Sequence, residues 1–70
     1  MPIVIAPVGT PLKIVRIAAD EKTKQHLENL GITIAGEITV LSSSGGTVVC
    51  KIKDGRLALD SELSTKIFVS

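Results

Sequence analysis

Tryptophan and tyrosine are absent from this chain, and Phe68 is its only aromatic residue. Stacking platforms for unpaired bases are therefore missing. Eight basic and seven acidic residues leave a net charge of +1, too little to track a polyanion by bulk charge. Lys51, Lys53 and Arg56 cluster around Asp54-Gly55, which reads as a charged, solubilising strand edge. A single cysteine, Cys50, rules out an internal disulfide and fits a reducing compartment. His26 and Cys50 are the only histidine and cysteine and the only obvious soft metal ligands, whereas a zinc site takes about four N or S donors. The opening MPIVIAPVGTP is apolar but is broken by Pro2, Pro7 and Pro11 and has no basic start. It is too short to span a membrane and does not read as an export signal. These absences predict a cytoplasmic chain with no cofactor, no nucleic-acid partner and no membrane insertion.

What the sequence does have is aliphatic. The hydrophobic fraction is 44%, almost all Ile, Val, Leu and Ala, in 70 residues. That is one domain near the lower size limit for folding alone. A core of this size supplies roughly 3–5 kcal/mol net, which leaves little to hold a strained active site.

Leu12 to Ala18 is rich in β-branched residues and reads as a first strand, apolar on both faces and so buried on more than one side. Asp20 is placed to cap a helix, with Glu21 in its first turn. Thr23, Leu27 and Leu30 follow at i, i+4 and i+7 as an apolar stripe, and Gly31 supplies the left-handed terminator. Ala35-Gly36 reads as a turn, and Glu37 to Ser42 as a strand. Ser42 to Gly46 reads as a flexible loop. Thr47 to Lys53 alternates, with Val48, Cys50 and Ile52 inward and Val49, Lys51 and Lys53 outward. Asp54-Gly55 is the strongest hairpin signal, requiring positive φ at both residues. Arg56 to Asp60 returns with Leu57 and Leu59 inward. SELST makes a short turn or one helical turn that tucks Leu63 in, and Lys66 to Ser70 closes the chain with Ile67 and Val69 inward.

Five short strands and one to two short helices leave no room for repeated parallel crossovers, so the protein is expected to be mostly β and antiparallel. Curling into a small, partly open barrel lets every strand share one core. An SH3-like barrel over residues 12–70 fits best, with residues 1–11 as an extended N-terminal arm. An OB-like barrel is the competitor, but its strands are usually longer and its helix lies between later strands.

No constellation of residues forms a catalytic site. Cys50 falls on the inward face of its strand and reads as a small hydrophobe. His26 has no partner from which to build a triad. Asp20 and Asp54 have structural roles, and Asp60 with Glu62 fits either a carboxylate pair or a solvated turn. Gly45-Gly46 leads into a strand instead of the helix that a phosphate cradle needs. Function is therefore expected on the outside of the barrel. The candidate partner contacts are Val49 and Lys51 on the outer face of their strand, Phe68 near the C-terminus, and His26 on the helix. The alternative for Phe68 is a cover formed by Ile3 and Ile5 of the arm.

Four pieces of the chain, in order and in register, resemble the FeoA family, small accessory proteins of bacterial ferrous iron transport. They are His26-Leu27-Glu28-Asn29-Leu30-Gly31-Ile32, Ala35-Gly36-Glu37-Ile38-Thr39-Val40, Lys51 to Leu59, and Glu62 to Val69. The resemblance covers Leu12 to the end and implies an SH3-like barrel without chemistry of its own. It implies a partner, the cytosolic GTPase region of a FeoB-type membrane permease. It implies as an alternative a metalloregulatory module like the C-terminal SH3-like domain of iron-dependent repressors. The chain departs from the family pattern in having His26 and Asp60 where Arg is frequent, and a Pro-rich lead with Val8-Gly9-Thr10. The first two departures remove positive charge from the surface. With two scattered soft ligands, the chain is not expected to bind iron directly. So small a core would gain from weak self-association.

Overall fold

The computed structural model describes all 70 residues. Its first strand, β1, spans Pro11–Ile17 and leads into helix α1, Glu21–Asn29. Asp20 caps α1, its Oδ1 accepting from the Thr23 amide at 2.8 Å, as the sequence predicts. Gly31 ends it at φ +100°, and the Ile32 amide reaches back to the Leu27 carbonyl at 2.9 Å. Of the expected stripe, Leu27 is fully buried and Thr23 half-buried, but Leu30 is exposed. The helix winds down at Leu30, so the stripe stops one turn early.

The Ala35-Gly36 turn is sewn onto β1: Ala35 N–H donates to the Ile14 carbonyl at 2.7 Å, and Ile14 N–H to the Gly36 carbonyl at 3.0 Å. Strand β2 then runs over Glu37–Ser44, β3 over Thr47–Ile52 and β4 over Gly55–Leu59. Helix α2 is one turn, Ser61–Ser64, capped by Asp60, and β5 is Ile67–Val69. The sheet order is β4-β3-β2-β1-β5, with every pairing antiparallel. The result is mostly β, a small, partly open SH3-like barrel with two short helices.

Two turns differ from expectation. Ser42 to Ser44 belong to β2, because the ladder continues to Ser44↔Thr47. Only Gly45 and Gly46 turn the chain, both at positive φ, 59° and 85°, as a two-residue hairpin requires. The hairpin tip is anchored: Ser64 Oγ donates to the Gly46 carbonyl at 2.7 Å, and a Cβ on Gly46 would lie 2.8 Å from that of Ser61. In the second hairpin, Ile52 pairs with Gly55. The turn residues are thus Lys53 and Asp54, neither at positive φ, and Gly55 alone takes φ +147°.

Fourteen aliphatic or thiol side chains form one core, including Ile14, Leu27, Ile38, Val48, Cys50, Leu59 and Ile67. Ile3 and Ala6 belong to it as well. The opening segment, expected to be extended, contains a 3₁₀ turn at Ile3–Ile5. Met1 exchanges two backbone bonds with Val69, at 2.9 and 2.8 Å, and Val8 bridges Val40.

Candidate partner-binding surface

Alternation along β3 sends Val48, Cys50 and Ile52 into the core and leaves Val49 half-buried and Lys51 exposed. Val49 stands between Ser42 on β2 and Ala58 on β4. Lys51 stands between Thr39 and Arg56, and borders an open polar depression with Glu37, Thr39, Lys53 and Asp54. Two like charges opposite each other, Lys51 and Arg56, cost a little stability in an isolated sheet.

Cys50 is fully buried. Loss of hydration pushes its thiol from about 9 up to about 11, and its Sγ lies 3.6 Å from the Leu57 carbonyl. A buried thiol held protonated in this way is a poor nucleophile near neutral pH. Asp60 and Glu62 do not form a carboxylate pair. Asp60 Oδ1 accepts from the Leu63 amide at 2.8 Å, and Glu62 takes Lys66 Nζ at 3.1 Å. No three His, Cys, Asp or Glu side chains lie close enough to hold a metal ion.

Phe68 points away from the core on β5 and is half-buried. The opening segment lies against its strand, with Pro2 bridging Phe68, Ile3 in the core and Ile5 exposed. The Arg16 guanidinium stands over the ring, 5.3 Å from its centroid, within cation–π range. Arg16 is an exposed residue, not a member of a buried strand. His26 is exposed in the last turn of α1, beside buried Leu27. Val49 and Lys51 therefore share one strand, while Phe68 lies on β5 with β2 and β1 between.

The structure adds a surface that strand-pattern reasoning overlooked. Val15 and Ile34, 51% and 58% exposed, line an open groove of about 540 Å³ together with Arg16, Lys24 and Glu28. β1 was expected to be buried on both sides. Instead, its register against β5 shifts between Ile14 and Arg16. The bulge turns Ile14 and Ile17 both inward and releases Val15 and Arg16 together. The signal was present in the dense run Ile14-Val15-Arg16-Ile17, which fits no period-2 pattern with Ile14 and Ile17 on one face. Arg16 joins this groove to Phe68.

Solved structures resemble the chain closely in fold. An iron uptake regulatory protein, FeoA, matches at TM-score 0.86 and 24% identity over all of this chain and 93% of the other. Iron(II) transport protein A from Clostridium thermocellum matches at 0.88 and 22%, over all of this chain and 44% of that one. A manganese-dependent transcriptional repressor matches at 0.88 and 21%, over 99% of this chain and 40% of its own length. No curated protein matches in sequence. The family model of the FeoA domain matches residues 1–70, the entire chain, and the chain therefore belongs to the FeoA domain family.

Proposed function

We propose that this protein is a non-enzymatic accessory module of ferrous iron uptake that works in the cytoplasm by docking on the GTPase region of a FeoB-type permease. Family membership implies an accessory role in ferrous iron transport. The observation that carries a docking role is the contrast between inside and outside. Cys50, Asp20, Asp60 and Glu62 have structural partners and Asp54 sits in a turn, whereas Val15 and Ile34 leave apolar surface in water between charged neighbours. An apolar floor with a charged rim is the usual make-up of a protein contact. Arg16 and Phe68 extend it, and arginine and aromatic residues are frequent energetic anchors. His26, Val49 and Lys51 complete the proposed contacts as flanking positions. No helix is long and apolar enough to cross a membrane, so the permease would supply the membrane-embedded part.

Titrating the isotope-labelled chain with the soluble GTPase region of its cognate permease tests this reading. Amide shifts should concentrate at Val15, Arg16, Ile34 and Phe68, and Val15→Asp should weaken binding about tenfold or more. Absence of binding at high micromolar concentration would overturn it. A second reading is favoured by the repressor likeness: a metalloregulatory module serving a DNA-binding chain. Binding to such a chain and not to the permease would select it.

A further inference from the structure

Strand β4 is the unpaired edge of the sheet. In an antiparallel ladder, the backbone groups of alternate residues point to opposite neighbours. Ile52↔Gly55 closes the hairpin and Cys50↔Leu57 and Val48↔Leu59 follow in the same phase. Gly55, Leu57 and Leu59 thus bond to β3, while Arg56 and Ala58 aim their N–H and C=O groups outward. Asp60 continues this phase in extended conformation, φ −72° and ψ 175°. The edge carries no proline and no bulge, two of the devices that blunt such strands. An exposed arginine at an edge is ordinarily a guard against pairing. Here Asp60 follows four residues later on the same outer face, with small Ala58 midway.

We propose that β4 pairs antiparallel with β4 of a second copy of this chain, about a two-fold axis at Ala58, so that Arg56 of each copy faces Asp60 of the other. The pattern Arg-x-Ala-x-Asp is its own complement under that operation, and opposite charges directly across a ladder stabilise it. Shifting the axis to Leu57 would set Asp54 against Asp60, like against like, so charge selects the Ala58 register. Ala58 N–H and C=O then meet their own counterparts, and each Asp60 N–H meets the Arg56 carbonyl across the axis. The Asp60 carbonyl is already occupied, accepting from the Ser64 amide at 2.9 Å. The contact is isologous and closes at two copies. It buries less than the roughly 800 Å² per partner of a standard interface, so the dimer is weak and salt-sensitive.

Sedimentation and amide spectra of the full chain, from about 20 µM to about 1 mM, test this. The weight-average mass should rise toward the dimer, with concentration-dependent shifts centred on Arg56, Ala58 and Asp60. Arg56→Asp should abolish the rise, whereas Arg56→Lys should retain it. Asp60→Asn, which keeps the helix cap, should weaken association several-fold. Ala58→Pro, which removes an outward N–H, should also abolish it, with unchanged far-UV circular dichroism as the folding control. A wild-type chain that stays monomeric to about 1 mM would overturn the proposal. So would an Arg56→Asp variant that associates normally, shifts centred on Val15 and Ile34, or edge shifts seen only when a different extended peptide is added.

Discussion

At one edge of the sheet, β5 gives both outward backbone groups of Val69 to Met1; at the other, β4 leaves those of Arg56 and Ala58 bare. The closed edge is held from within. Pro2 bridges Phe68, and Ile3, the next residue, is fully buried in the core. The open edge has only the alternation of its own strand to shape it. A fold this small therefore uses its first residues to finish one side of the barrel, and leaves the other side with unused hydrogen-bonding capacity. The difference separates a stabilising edge from one free for contact.

The largest expected effect tests the closed edge. Ile3→Ala removes a fully buried side chain and should cost about 2–5 kcal/mol. That is comparable to the roughly 3–5 kcal/mol available to a domain of this size, so thermal melting should show a chain at the limit of folding. If Ile3→Ala melts like the wild type, the opening segment does not finish the edge in solution.

A pair of prolines compares the two edges directly. Phe68 N–H faces β1, since both backbone groups of its neighbour Val69 go to Met1. Phe68→Pro should then cost about 1–3 kcal/mol for the lost ladder bond beyond the cost of Phe68→Ala. Ala58→Pro removes a donor that faces water and should leave the melting temperature of the monomer within a few degrees, where about 1 kcal/mol corresponds to 4–8 °C. Equal losses at both sites would mean that β4 is not a free edge.

The smallest effect concerns acid stability at the entrance to α1, beside β5. Hydrogen bonds from Thr23 hold the Asp20 carboxyl below its ordinary 3.8. A folded-state value below the unfolded one means stability that is fully present above about 3.8 and is lost as pH falls through the lower folded value. Asp20→Asn keeps the cap but removes this dependence, so the acid limb of its unfolding curve should flatten slightly relative to wild type. An identical acid limb would show that the cap is not charge-assisted.

Much of the fold was legible where local chemistry and tertiary demand agree. Asp20 and Gly31 bracket the helix because a cap and a left-handed terminator need nothing beyond neighbouring residues. Val48, Cys50 and Ile52 face inward because an uninterrupted period of two has one solution in a half-buried strand. The hairpin signal at Asp54-Gly55 was one residue out of place. Such a dipeptide fits a turn with two left-handed residues, but the β3–β4 register closed the loop at Ile52 and Gly55 and left Gly55 to absorb the positive φ. The serine-rich segment read as a loop from its composition alone, yet pairing with β3 drew it into β2.

The candidate surface was less legible for a related reason. Phe68 was correctly turned outward by its neighbours, but its cover, Arg16, comes from a strand far away in sequence. Val15 looked buried because apolar type was the only available guide.

The sequence by itself determined the aliphatic composition of the core, the helix between its cap and its glycine, the inward face of β3, and the scarcity of aromatic rings. Those properties follow from residue chemistry and short-range periodicity. Only the tertiary structure decided that Val15 and Ile34 are exposed together, that Arg16 lies over Phe68, and that one sheet edge is closed while the other is open. A register shift in one strand and the docking of a distant segment set these features. Both are settled by how strands meet in space, where a displacement of one residue exchanges the buried face for the exposed one.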